Sequence, residues 1–245
     1  MRRGLKTLTV AVAVAAAVVF SASTPRKDPL PGFPSTVLWA WERPEDLRFL
    51  TAGHTGVAFL ERTLRLTPHG MRSYPRLQPL LVHPETPLMA VVRIETDGKG
   101  LPSRAPVVNE VVEAARNARV RALQIDFDAR ESERGWYRGL LHEVRDAIPA
   151  GMPLTITALA SWCDGDDWME GLPVADASPM LFRMGRGDYV PSSDFQVPLC
   201  RSSVGLSTDE LPRRIPRGRR MFFFHPRAWT AEAYQGVVSQ ARLWR

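Results

Sequence analysis

Two aspartates one residue apart, Asp126 and Asp128, stand at the end of the run Ala122-Leu-Gln-Ile-Asp-Phe-Asp-Ala129. Side chains alternate along a strand, so Leu123, Ile125 and Phe127 share one face and Gln124, Asp126 and Asp128 the other. Two carboxyls on one face can divide acid–base work: one gives a proton while the other supports a cationic centre or a water. A helical run follows, with Tyr137, Leu140, Leu141, Val144 and Ile148 on one stripe. A strand packed under a helix, with acids at the end of its inner face, is the unit a (β/α)₈ barrel places in its active site. In the plainer reading the two aspartates simply bond a loop or a neighbouring arginine.

Other strand-like segments end in residues of the same chemistry. Trp39, Trp41 and Glu42 close the first, and Arg93 and Glu95 the third. Ser161, Trp162 and Asp164 follow the fifth, Arg183 belongs to the sixth, and His225 ends the eighth. Carboxylates supply acid, base or nucleophile, and indole faces stack on the apolar faces of sugar rings. The expected catalytic set is therefore Asp126, Asp128 and Glu95. The expected binding set is Trp39, Trp41, Arg93, Trp162, Arg183 and His225. Each has a structural alternative: tryptophans in the core, a satisfied ion network among Arg93, Glu95, Asp126 and Arg183, and a structural histidine before Pro226. Asp164, Asp166 and Asp167 are too irregular for a calcium loop, and N-capping by an aspartate fits them better.

The elements that must position these residues run as eight strand candidates in order. They are 37–41, 55–60, 89–95, 122–128, 154–159, 179–184, 203–207 and 220–224. A short helical piece is expected around 43–50, and 62–67 alternates like an added hairpin strand. Prolines at 68, 75, 79, 84 and 87 forbid a long helix after the second strand. Helices are expected after the third strand, after the fourth, and over 230–243. Those after the fifth, sixth and seventh strands look short or absent. The expected fold is an irregular (β/α)₈ TIM-like barrel with trimmed helices, in one domain over 36–245. A doubly wound sheet is the runner-up, but no glycine-rich turn follows a strand to hold a nucleotide phosphate.

The 245 residues are 44% hydrophobic, enough to bury a full core. Residues 1–23 read as a signal peptide: Arg2, Arg3 and Lys6, then an apolar stretch from Leu8 to Phe20, then Ser21-Ala-Ser23. An uncleaved anchor is the alternative, and no stable membrane span is expected once the leader is cut. Residues 24–35, rich in proline, read as a linker. The leader takes three bases and no acids, so a net charge of +6 falls to +3. Nucleic acid is therefore not an expected partner. The arginines around Pro216 lack interleaved aromatics and read as a solvated loop. In an oxidising compartment Cys163 and Cys200 permit one disulfide. Localisation is expected to be periplasmic or secreted, and the protein a monomer.

Several chemistries are absent from the sequence. It holds no GxSxG elbow, no HExxH and no phosphate-binding loop, and its five histidines never fall at ligand spacing. No cofactor and no metal site are expected.

The phrases LQIDFDARESERGWYRGLL, LTITALASWCDGDDWM and LPVADASPMLFRMG resemble an uncharacterised family of exported bacterial proteins, labelled a domain of unknown function. The strand ending Asp126-Phe-Asp128 is similar, more distantly, to that of family 18 chitinase-like barrels, whose motif ends D-x-D-x-E. That resemblance implies a glycoside-hydrolase-like barrel, with Asp126 and Asp128 supporting an acid and the substrate's acetamido group. Arg130 occupies the position of the catalytic glutamate, and Glu131 is out of phase. The acid must then come from another strand, with Glu95 or Glu42 as candidates, or the barrel binds a glycan or cell-wall polysaccharide without hydrolysing it.

Overall fold

A computed structural model describes residues 28–183 and 194–244. The leader and the first residues of the expected linker lie outside the described residues. Eight strands form the framework: β1 Thr36–Ala40, β2 Gly56–Thr67, β3 Leu88–Thr96 and β4 Val120–Asp126, then β5 Leu154–Leu159, β6 Asp176–Met180, β7 Ser203–Ser207 and β8 Arg220–Phe224. Each pairs in parallel with the next, and β1 pairs with both β2 and β8, through Leu38↔Val57 and Val37↔Phe222. The sheet closes on itself as an eight-stranded parallel barrel. No helix among the described residues is long and apolar enough to cross a membrane.

Among the described residues four α-helices accompany the strands: α1 Arg104–Ala115, α2 Arg134–Ala147, the single turn α3 Ala160–Cys163, and α4 Ala231–Leu243. Tyr137, Leu140, Leu141, Val144 and Ile148 are all buried against the barrel, as their spacing requires. The proline-rich stretch after β2 carries no helix. It forms an antiparallel strand, Gly70–Pro75, on an extension of β2, and a short parallel pair between Glu45–Asp46 and Leu80–Leu81.

Strand alternation sorts the apolar side chains into two cores. The larger lies between the outer strand faces and the helices, with Leu123, Ile125 and Phe127 in it. The smaller fills the barrel with Val37, Trp39, Ala58, Leu60, Met89, Val91, Ala122 and Phe222.

Four local expectations change. The segment 62–67 continues β2 past a bulge between Leu60 and Arg62 rather than forming a separate strand. Residues around 43–50 are not helical: Glu45–Asp46 is extended, its buried Glu45 carboxylate accepting from the backbone N–H of Trp229 at 2.9 Å, and a turn follows at 48–50. The sixth strand is Asp176–Met180 rather than 179–184, and Arg183, at φ 56°, is not extended. Residues 28–34, expected as linker, plug the barrel floor. Leu30 and Phe33 are buried in the inner core, and Arg220 donates to the carbonyls of Leu30, Phe33 and Pro34 and to the Asp28 carboxylate.

Candidate functional site at the C-terminal end of the barrel

A cavity of about 520 Å³ opens at the C-terminal ends of the strands. One wall is aromatic: Trp39 and Trp41 from β1 and its exit, Phe182 after β6, and Phe224 at the end of β8. Phe182 and Phe224 lie almost parallel, 10° apart in plane with centroids 6.1 Å apart, and Trp41 meets Phe224 edge-on at 6.2 Å. The opposite wall is polar, with Arg93 from β3, Asp126 and Asp128 from β4 and its exit, Thr157 from β5, then Ser161 and Asp164. Arg183 stands at the edge where the two walls meet.

Asp126 is the best-defined group. It is in register with Arg93 on β3, and its Oδ1 accepts the Thr157 hydroxyl at 2.7 Å. Burial in the cavity floor pushes its carboxyl up to about 6. The Thr157 bond and Arg93 pull against that shift, while Asp128 and Glu95 add to it. Part of its surface stays open to the cavity. Asp128 is also raised by desolvation, with Arg93 opposing. Beneath them Gln124 accepts the Trp39 indole N–H at 2.9 Å, tying the acidic strand to the aromatic wall across the barrel.

The cavity thus gathers six of the nine expected residues: Trp39, Trp41, Arg93, Asp126, Asp128 and Arg183. Glu95 lies outside the lining and pairs with Arg65 at 3.0 Å and Arg93 at 3.3 Å. Trp162 is 2% exposed and packs edge-on to Trp168 with centroids 4.8 Å apart. Helix α3 begins at Ala160, so helical spacing replaces strand alternation there, leaving Ser161 and Asp164 on the cavity side and Trp162 in the outer core. His225 follows the inward-facing Phe224 and so points away. Its ring lies on Trp229 with centroids 5.0 Å apart, and Nδ1 meets the Thr208 hydroxyl at 2.6 Å. Burial and the nearby Arg227 and Arg43 lower its pKa. Glu42 accepts from Thr63 outside the cavity.

The single buried ion network envisaged from strand parity is not formed. Arg93 pairs with Glu95, whereas Arg183 faces the Phe224 ring, 5.6 Å from its centroid, and makes no ion pair with a described residue. Asp166 caps the turn before Trp168, accepting its backbone N–H at 3.2 Å, as expected of that acidic stretch. Among the described residues no group of three or more His, Cys, Asp or Glu could hold a metal.

Thr157, Phe182 and Phe224 escaped the sequence reading. Thr157 shares inward parity with Thr155 and Leu159, which alternation alone could have shown. The run RMFFF is apolar on both faces, so its inward member has no signature. Arg130, in the place of the chitinase glutamate, lies over Gly98, where any Cβ would collide with its guanidinium. It is not part of the cavity wall.

A family model described as a domain of unknown function, DUF3142, matches residues 84–182. That span runs from just before β3 to Phe182 and holds both carboxyls. No curated protein matches the chain. Among solved structures, the chain is similar to the spore cortex-lytic enzyme SleL of Bacillus cereus, with 15% identity and a TM-score of 0.45, over 72% of this chain and 51% of that one. The chain therefore spans about half the length of that structure.

Proposed function

We propose that this protein is an exported glycoside-hydrolase-like barrel that takes a glycan into the cavity at its C-terminal strand ends. The observation that carries this reading is one cavity with an aromatic wall facing two carboxyls, one of them raised to about 6. The aromatic wall offers ring faces to the C–H faces of a sugar. Asp126, protonated over the mildly acidic range, gives its proton to the glycosidic oxygen. Asp128, more exposed, supports the anomeric centre or orients water. Export is supported by the basic-apolar-small pattern of residues 1–23 and by the disulfide joining Cys163 and Cys200, whose Cα atoms are 5.8 Å apart.

The test is reducing-end release from cell-wall and storage polysaccharides by the protein and by Asp126→Asn and Asp128→Asn. Release lost in either folded variant supports hydrolysis at this site. Release surviving both substitutions excludes these carboxyls.

A second reading, a non-catalytic glycan-binding barrel, is favoured by Arg130. The residue that stands for the acid in chitinase-like barrels is here a cation outside the cavity. Saturable glycan binding without release would select this reading.

A further inference from the structure

Arg183 has the only positive φ among described non-glycine residues, 56°. A left-handed residue with a full side chain is strained and persists only where its surroundings hold it. Here the backbone N–H of Arg183 donates to Glu210 Oε2 at 2.8 Å. The effect is to carry the guanidinium over the Phe224 ring at the cavity edge. There it makes no hydrogen bond and no ion pair to a described residue. Asp209 acts on it through space while bonded to the Ser207 hydroxyl. A cation held in place by backbone strain, stacked on an aromatic ring and retaining its donors, is built to receive an anion.

Resting on the glycan reading, we infer that the ligand is an acidic glycan whose sugar carries a carboxylate, and that Arg183 binds that carboxylate. A guanidinium presents two parallel N–H groups that match the planar carboxylate. Asp126, Asp128 and Asp164 outnumber Arg93 and Arg183 in the same lining, so a doubly charged phosphate would meet more repulsion than a single carboxylate on the Arg183 side. The aromatic wall beneath Arg183 then takes the ring of the same sugar. Either a uronic acid or the lactyl ether of a muramic acid unit would supply this group.

Calorimetric titration of the protein with an oligouronide, a muramic-acid-containing glycan strand, and the carboxyl-reduced form of each tests the inference. At least one acidic ligand should bind about tenfold or more tightly than its reduced form, with a preference that weakens as salt rises. Whichever acidic ligand shows the preference identifies the source of the carboxylate. Arg183→Gln should bring acidic and reduced ligands within about twofold, and Arg183→Lys should keep part of the preference. Asp209→Asn removes the competing carboxylate and should tighten only the acidic ligand, a readout that stands even where Arg183→Gln fails to fold. Equal binding of acidic and reduced forms, or a preference that survives in folded Arg183→Gln, overturns the inference and leaves the glycan reading intact. Binding of neither form of either ligand, nor of any neutral glycan, overturns both.

Discussion

The hydroxyl of Thr157 donates to Oδ1 of Asp126 across the β4–β5 boundary at 2.7 Å. This bond favours the ionised carboxylate, against the burial that favours the neutral acid, and burial wins. In Thr157→Val the opposing bond is gone, so the Asp126 pKa should rise above about 6 by roughly one unit, the scale of a hydrogen bond to a charged group. Carboxyl carbon NMR across a pH titration reads this directly. An unchanged pKa would mean that the bond does not set the proton affinity of Asp126.

The raised carboxyl also sets a pH dependence of folding. An unfolded aspartate loses its proton near 3.8, whereas Asp126 holds its own until about 6. The native state therefore binds more protons in that window, and stability falls as pH rises from about 4 to about 6. The penalty at neutral pH is at most about 3 kcal/mol, less because the carboxyl is partly open to the cavity. Asp128 contributes in the same direction. In Asp126→Asn the penalty disappears, so its stability advantage over the parent should grow between pH 4 and 6.5 in urea melts. A gap that stays flat across that range refutes the assignment.

Gly205 on β7 sits against Trp39, and a Cβ there would lie 2.7 Å from the indole. The Trp39 ring is held on its other side by Phe222, with centroids 5.4 Å apart, and by its bond to Gln124. Gly205→Ala should cost about 1–3 kcal/mol by overpacking and should weaken glycan binding, since the displaced ring is part of the cavity wall. Chemical denaturation and ligand titration of the same variant separate the two effects. Wild-type stability and affinity together would show that the wall is softer than its packing suggests.

Arg220 anchors the floor of the barrel with bonds to Asp28 and to three carbonyls of residues 30–34, while it is 9% exposed. Arg220→Ala should destabilise by about 3 kcal/mol or more, because it leaves buried carbonyls without their donor. Proteases should then cut near residues 28–34, and ligand affinity of the folded fraction should stay unchanged, the cavity being at the opposite end. Unaltered protease resistance would show that Leu30 and Phe33 hold the plug unaided.

The Cys163–Cys200 bridge joins the end of α3 to the turn before β7, across 37 residues. A loop of that length corresponds to roughly 2–4 kcal/mol of stabilisation through the unfolded state. Reduction should lower the denaturation midpoint accordingly. It should also loosen Ser161 and Asp164, which precede and follow this turn of chain at the cavity wall. Equal midpoints with and without reductant would show that packing alone holds this segment.

Much of the framework was legible because it is written in local periods. Two-residue alternation placed Asp126, with Asp128 just past the strand end, on the same side as Gln124, and helical spacing placed Tyr137 through Ile148 on the outer shell. The prolines after β2 forbade a helix by the loss of N–H groups, and none forms there. What the sequence left open depends on where a period changes or on contacts between distant segments. Trp162 left the cavity because one helical turn begins at Ala160, and Phe182, which shares the parity of Met180, lines the cavity beside Arg183 because the positive φ of Arg183 interrupts strand alternation there. The burial that raises Asp126, the packing of Trp39 on Gly205 and the docking of residues 28–34 under Arg220 each join segments many residues apart. Only closure of β1 onto β8 brings them together, since desolvation and packing act through space and leave no trace in spacing along the chain.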